Sequence, residues 1–72
     1  MRTALRMARE RKQLTQAQVA ECVGISREYY VQLEAGQRDP SIRVAFRIGE
    51  VLDADPRWLF ADVIDERAAE SA

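Results

Sequence analysis

There is no histidine in this 72-residue chain, and its one cysteine, Cys22, has no second cysteine to bond with. The first absence removes the side chain most often used as a general base near neutral pH and a common metal ligand. The second excludes an internal disulfide, so Cys22 is expected to be a structural or incidental thiol in a reducing compartment rather than a redox sensor. Two prolines and three glycines leave no low-complexity linker. No apolar run approaches the roughly 18 residues needed to cross a membrane. The basic opening from Met1 to Lys12 is broken by charge and lacks the apolar centre of a secretory signal, so a cytoplasmic location is the expectation. Nor is there a nucleophile–base pair, a cluster with metal-ligand spacing or a glycine-rich phosphate loop, and neither an enzyme nor a bound cofactor is expected.

What is present is a chain of 47% hydrophobic and 32% charged residues, ordinary for one small helical domain. The net charge of -1 is unlike a nucleic-acid binder, but the average conceals a split. Residues 1–47 carry nine Arg/Lys against five Asp/Glu, a balance of +4, whereas residues 48–72 carry two against seven, a balance of -5. Such asymmetry suggests a basic face turned to an anionic partner and an acidic half held away from it.

The segment TQAQVAECVGISREYYVQLE, Thr15 to Glu34, carries the most information. Thr15 followed by Gln18 forms a capping box, and Val19, Ala20 and Val23 recur at helical spacing. Gly24 stops this helix because it tolerates the left-handed conformation, and Ile25 is an apolar plug behind it. Ser26 caps a second helix whose inward face is Tyr30 and Leu33, leaving Arg27, Glu28, Tyr29, Val31 and Gln32 turned partly or wholly outward. Two short helices joined by a tight glycine turn, the second polar outside, make a helix-turn-helix.

The flanking residues supply three more helices and complete an all-α, five-helix domain. Arg2 to Lys12 reads as the first, with Leu5 and Ala8 inward and Leu14 packing after its end. After the turn-rich Gly36 to Pro40, Ser41 caps a helix whose Ile42, Ala45, Phe46, Ile48, Val51 and Leu52 are expected to supply much of the remaining core. Gly49 within it is either a weakness of about 1 kcal/mol or, as favoured here, a point of close approach. Asp55 and Pro56 start a short fifth helix over RWLF. The domain is thus placed at residues 1–61. Residues 62–72 form an extension, of which Arg67 to Ala72 reads as a frayed tail. Phe60, Val63 and Ile64 are more apolar than a solvated terminus requires. They either fold back on the core or meet a second copy.

LTQAQVAECVGISREYYVQLEAGQRDPS, with Leu5, Arg6, Arg9 and Glu10 upstream, resembles the lambda-repressor and Cro-like (Xre-type) helix-turn-helix regulators of bacteria and phages over roughly residues 3–60. The resemblance implies a structural pair between Arg9 and Glu34. It also marks Gln13 as a departure from the family's usual glycine, so the turn before Leu14 is expected to be strained or reshaped. Similar small regulators dimerise through the fifth helix and the residues after it, which makes Trp58, Phe60, Val63 and Ile64 candidates for a homodimer interface.

In this motif the second helix enters the major groove of double-stranded DNA, which places Arg27, Glu28 and Gln32 at base edges. Arginine can pair bidentately with guanine, glutamine with adenine, and glutamate can accept from cytosine N4. Glu28 also has a purely structural reading, since an acidic residue near a helix start is favoured by the helix dipole. Tyr29 is expected to meet a phosphate or a thymine methyl. Gln16 and Ser26 offer donors to phosphate at helix starts, and Arg38 and Arg43 flank the backbone. The reading is a sequence-specific transcription regulator that represses from a pseudo-palindromic site. In size and layout the chain resembles phage regulators and restriction-modification controllers. The alternative is an antitoxin or interaction module whose main partner is another protein.

Overall fold

Polar caps begin four of the helices. Thr15 Oγ1 accepts from the Gln18 amide at 3.1 Å while Gln18 Oε1 accepts from the Thr15 amide at 2.8 Å. Ser26 and Ser41 each accept from the amide three residues on at 3.1 Å, and Asp55 Oδ1 accepts from the Arg57 amide at 2.8 Å with Pro56 at the first helical position. Each cap satisfies a donor that the helix leaves unpaired, and a cap of this kind contributes about 1 kcal/mol. The computed structural model describes residues 1–64. Among these it contains five helices and no strand: α1 Thr3–Arg11, α2 Gln16–Val23, α3 Arg27–Ala35, α4 Ile42–Leu52 and α5 Pro56–Leu59. None is long and apolar enough to cross a membrane. The expected frayed tail, Arg67 to Ala72, lies outside the described residues.

The core joins all five elements. Leu5 and Ala8 of α1, Val19, Ala20 and Val23 of α2, Tyr30 and Leu33 of α3, Ala45, Ile48 and Leu52 of α4, and Leu59 of α5 are all buried. Leu14 and Ile25, after α1 and α2, pack against this cluster as partly buried plugs. The left-handed residue after α2 is Gly24, with φ +86°. The equivalent position after α1 is Gln13, with φ +58°, so the departure from glycine does cost backbone strain there.

Gly49 is a point of close approach. A Cβ at this position would lie 2.7 Å from the Ala54 carbonyl oxygen and 3.0 Å from Pro56 Cδ, so the turn into α5 lies directly on α4. Two expectations fail on the same helix. Ile42 and Phe46, expected in the core, are 65% and 52% exposed. The buried stripe of α4 is Ala45, Ile48, Gly49 and Leu52. At 3.6 residues per turn Phe46 is rotated about 100° from Ala45, and Ile42 is the first residue of the helix, at the end of that stripe.

Phe60 is a further correction. It is fully buried, with 0% exposure, and belongs to the domain's own core, so it has no face to offer a second copy. Of the apolar residues around it, Trp58 and Val63 are exposed and Ile64 is half-buried.

Candidate nucleic-acid interface

The candidate reading helix, α3, is fixed before it meets any ligand. Its start is set by the Ser26 cap and by the turn at Gly24, where the amides of Gly24 and Ile25 both donate to Ala20 O, at 2.9 and 3.0 Å. Its inner face is locked by buried Tyr30 and Leu33. Its end is closed by Gly36, with φ +81°, and by Glu34, which is itself buried. Arg9 holds the Glu34 carboxylate through two hydrogen bonds of 2.9 Å, and its third donor reaches Leu14 O at 2.9 Å. The structural pair implied by the resemblance is therefore present. Hydrogen bonding to Glu34 raises the pKa of Arg9, and burial pushes the Tyr30 phenol well above its usual range, with the Glu34 charge adding to the effect.

On the outer face the structure brings Arg27, Glu28 and Gln32 together around a shallow depression whose fourth lining residue is Val31. Arg27 and Glu28 are exposed on the first turn, and Gln32 is half-buried just over one turn later. Val31 carries no base-reading signal in the sequence. An apolar side chain between potential base-edge donors and acceptors is nonetheless suited to a thymine methyl. Ser26 is exposed; its oxygen accepts from the Tyr29 amide, and its hydroxyl proton is what it can offer a phosphate. Gln16 opens α2 and is half-buried; Arg43, in the first turn of α4, is exposed.

Tyr29 has more intramolecular contacts than an outward helical position suggests. Its ring packs against the core margin, its hydroxyl lies 3.5 Å from Asp39 O, and the Arg38 guanidinium stands 5.4 Å from the ring centroid. A cation over an aromatic face is attracted by the ring quadrupole. Tyr29 thus links the first turn of α3 to the loop that comes after the helix.

The residue most completely missed by sequence reasoning is Arg2. It is only 6% exposed, and its guanidinium sits 5.3 Å from the Phe60 ring centroid. Its donors reach Leu33 O, Arg38 O at 2.7 Å, Asp39 Oδ1 at 2.9 Å and Asp62 Oδ1 at 3.1 Å, with Asp62 Oδ2 a further 3.0 Å ion-pair partner. A basic residue near a chain start gives no sequence signal of such a role, because its partners lie beyond the reach of local spacing and those at Leu33 and Arg38 are main-chain oxygens.

Comparison with known proteins agrees with this architecture. A helix-turn-helix family model matches residues 5–59. The chain is 42% identical over 66 residues to the uncharacterized HTH-type transcriptional regulator YqaF of Bacillus subtilis, covering 92% of this chain and 87% of that one. It is also 42% identical over 60 residues to an HTH-type transcriptional regulator of Archaeoglobus fulgidus, covering 83% and 86%. Among solved structures, the restriction-modification controller protein C.AhdI from Aeromonas hydrophila superposes with a TM-score of 0.73 at 37% identity, over 79% of this chain and 86% of that one.

Proposed function

The chain belongs to the helix-turn-helix family of DNA-binding transcription regulators, of the Xre and lambda-repressor-like kind, and from that premise we propose that it is a sequence-specific regulator that binds a pseudo-palindromic operator as a homodimer and represses by occupying it. The observation that carries the reading is the convergence of Arg27, Glu28, Val31 and Gln32 on the outer face of a helix whose ends and inner face are already fixed. Such a surface presents donors, acceptors and an apolar contact on a helix that does not have to be ordered by the DNA. Arg38 and Arg43, with the starts of α2 and α3 at Gln16 and Ser26, lie along the phosphates and set register.

One reading helix covers few base pairs, so two copies on half-sites about one helical turn apart supply the specificity. The twofold contact runs through Trp58, Val63 and Ile64. Phe46 extends it, because it shares a surface depression with Pro56 at the start of α5. Trp58, Val63 and Phe46 are each large apolar side chains left exposed, as a protein contact would cover.

Selection from a randomised duplex pool near physiological salt tests the proposal. Enrichment of a pseudo-palindrome is the expected result. Weak, sequence-independent binding would reject it and move a protein partner to first place.

A further inference from the structure

Among the described residues, Arg2 is the buried cation whose contacts reach both the reading helix and the loop beyond it. Its main-chain amide donates to Glu34 O at 2.7 Å, so the chain start is tied to the last turn of α3. Its guanidinium then crosses from α3 to the loop. Nη1 donates to both Leu33 O and Arg38 O, and Nη2 pairs with Asp39. Asp62, which pairs with Nε and Nη2, and the Phe60 ring hold the same guanidinium against the core. An arginine has five N–H donors in a rigid fork, and here the fork is spread over main-chain oxygens of two residues and carboxylates of two more. A lysine, with three donors on a point charge, cannot reproduce that spread.

The loop held in this way carries Arg38, whose side chain leaves the clamp and lies over Tyr29, two residues from Arg27 on the reading helix. We infer that Arg2 is a positioning residue for DNA binding: it fixes the Arg38–Asp39 loop at the distance from α3 where Arg38 meets a phosphate while Arg27 meets a base. This inference rests on the reading that Arg38 is a phosphate contact. Without Arg2, the main-chain oxygens of Leu33 and Arg38 and the Asp39 carboxylate would have no shared anchor. Arg38 would then sample positions off the DNA backbone.

The test is the salt dependence of binding by the full chain to a fluorescein-labelled mixed-sequence duplex, followed by anisotropy. Removing one phosphate contact lowers the slope of log affinity against log salt by about 0.9. Arg38→Ala is expected to lower the slope by that amount per protomer. Arg2→Lys, which keeps the charge, is expected to match it, and the double variant to lose nothing more than Arg38→Ala alone. Asp39→Ala, which removes the loop-side carboxylate held by Arg2, provides a second route should Arg2→Lys fail to fold. Removing a carboxylate makes the chain more positive, so charge counting alone calls for tighter binding, whereas loss of the clamp calls for weaker binding and a lower slope. An unchanged slope in Arg38→Ala overturns the phosphate reading and the inference with it. A lowered slope in Arg38→Ala with no weakening in Asp39→Ala, and none in a folded Arg2→Lys, overturns the inference alone.

Discussion

Arg9 and Glu34 are joined by two parallel hydrogen bonds, Nε to Oε2 and Nη2 to Oε1, each 2.9 Å, in a fork that ties α1 to the last turn of α3. The Glu34 side chain is only 3% exposed, so its charge depends on this partner for compensation. Removing one member of a buried pair typically costs about 3–5 kcal/mol, because the other charge is left stranded, while replacing both with apolar groups of similar volume is often near neutral. Arg9→Met should therefore destabilise the domain by several times as much as Arg9→Met combined with Glu34→Leu. Urea denaturation of the two variants checks this. Equal losses would mean that packing, not the charge, is what Arg9 contributes.

Gln13 holds a left-handed backbone, φ +58°, at the position where Gly24 and Gly36 serve after the next two helices. A residue with a Cβ is penalised there by about 1–2 kcal/mol, partly offset by the extra freedom glycine has when unfolded. Gln13→Gly is accordingly expected to stabilise the domain by about 0.5–1 kcal/mol. The side chain is exposed, and no contact of Gln13 beyond its main chain is needed to account for the fold. A thermal midpoint that fell instead would show that the turn gains from the side chain more than the backbone loses.

Asp55 gives the fold a pH dependence of known sign. Its side-chain hydrogen bonds with Arg57, and then the bond from the Arg57 amide, hold its carboxyl below the ordinary value of 3.8. The pKa is thus lower folded than unfolded. The stabilisation is complete above the unfolded pKa and disappears as pH falls through the folded one. Asp55→Asn should lower the melting temperature at neutral pH, with the gap to the parent narrowing as the solution is acidified below 3.8. A gap that stayed constant through the acid range would show that the charge of Asp55 is irrelevant to its cap.

The features legible in the sequence are those written in local chemistry. Thr15, Ser26, Ser41 and Asp55 cap amides two or three residues away, and Gly24 signals its own backbone conformation, so each can be read from spacing alone. Periodicity is less decisive on α4. It marks two neighbouring apolar stripes and cannot say that the one through Ala45, Ile48 and Leu52 is buried while Phe46 is exposed. Phe60 is equally ambiguous, since an apolar residue near a chain end can fill its own core or a partner's. Arg2 leaves no trace because its acceptors lie 31 to 60 residues away and include main-chain oxygens, which have no residue identity. For the site, helical phase makes the outward face bearing Arg27, Glu28, Val31 and Gln32 legible.

The proposed twofold contact can be separated from the core. Trp58 is 50% exposed and Phe60 is fully buried, so a charge at the first need not unfold the domain while one at the second should. Trp58→Glu is expected to leave the circular dichroism spectrum helical and to shift the sedimentation equilibrium toward monomer, with weaker and less cooperative DNA binding. Phe46→Glu should act in the same direction. A Trp58→Glu protein that sedimented as the parent does would remove α5 from the interface.

Arg27 and Arg38 carry the same charge, but the roles proposed for them differ, and binding to altered sites separates the two. A bidentate arginine–guanine contact is worth about 1–3 kcal/mol of discrimination against the wrong base, and its loss is felt at one symmetric position of the site. A phosphate contact favours all sequences alike. Arg27→Ala should therefore bind the selected operator less well, yet bind variants substituted at that position almost as well as the parent does. Arg38→Ala should weaken every duplex by a similar factor. Gln32→Ala is expected to relax a neighbouring position, and Glu28→Gln decides between the two readings of Glu28. If Glu28 accepts from cytosine N4, the preference at its own position changes. If it only complements the helix dipole, the preference is kept and the helix loses a few tenths of a kcal/mol. A uniform loss from Arg27→Ala would reassign it to the phosphate backbone and leave Gln32 and Val31 as the remaining candidates for base recognition on α3.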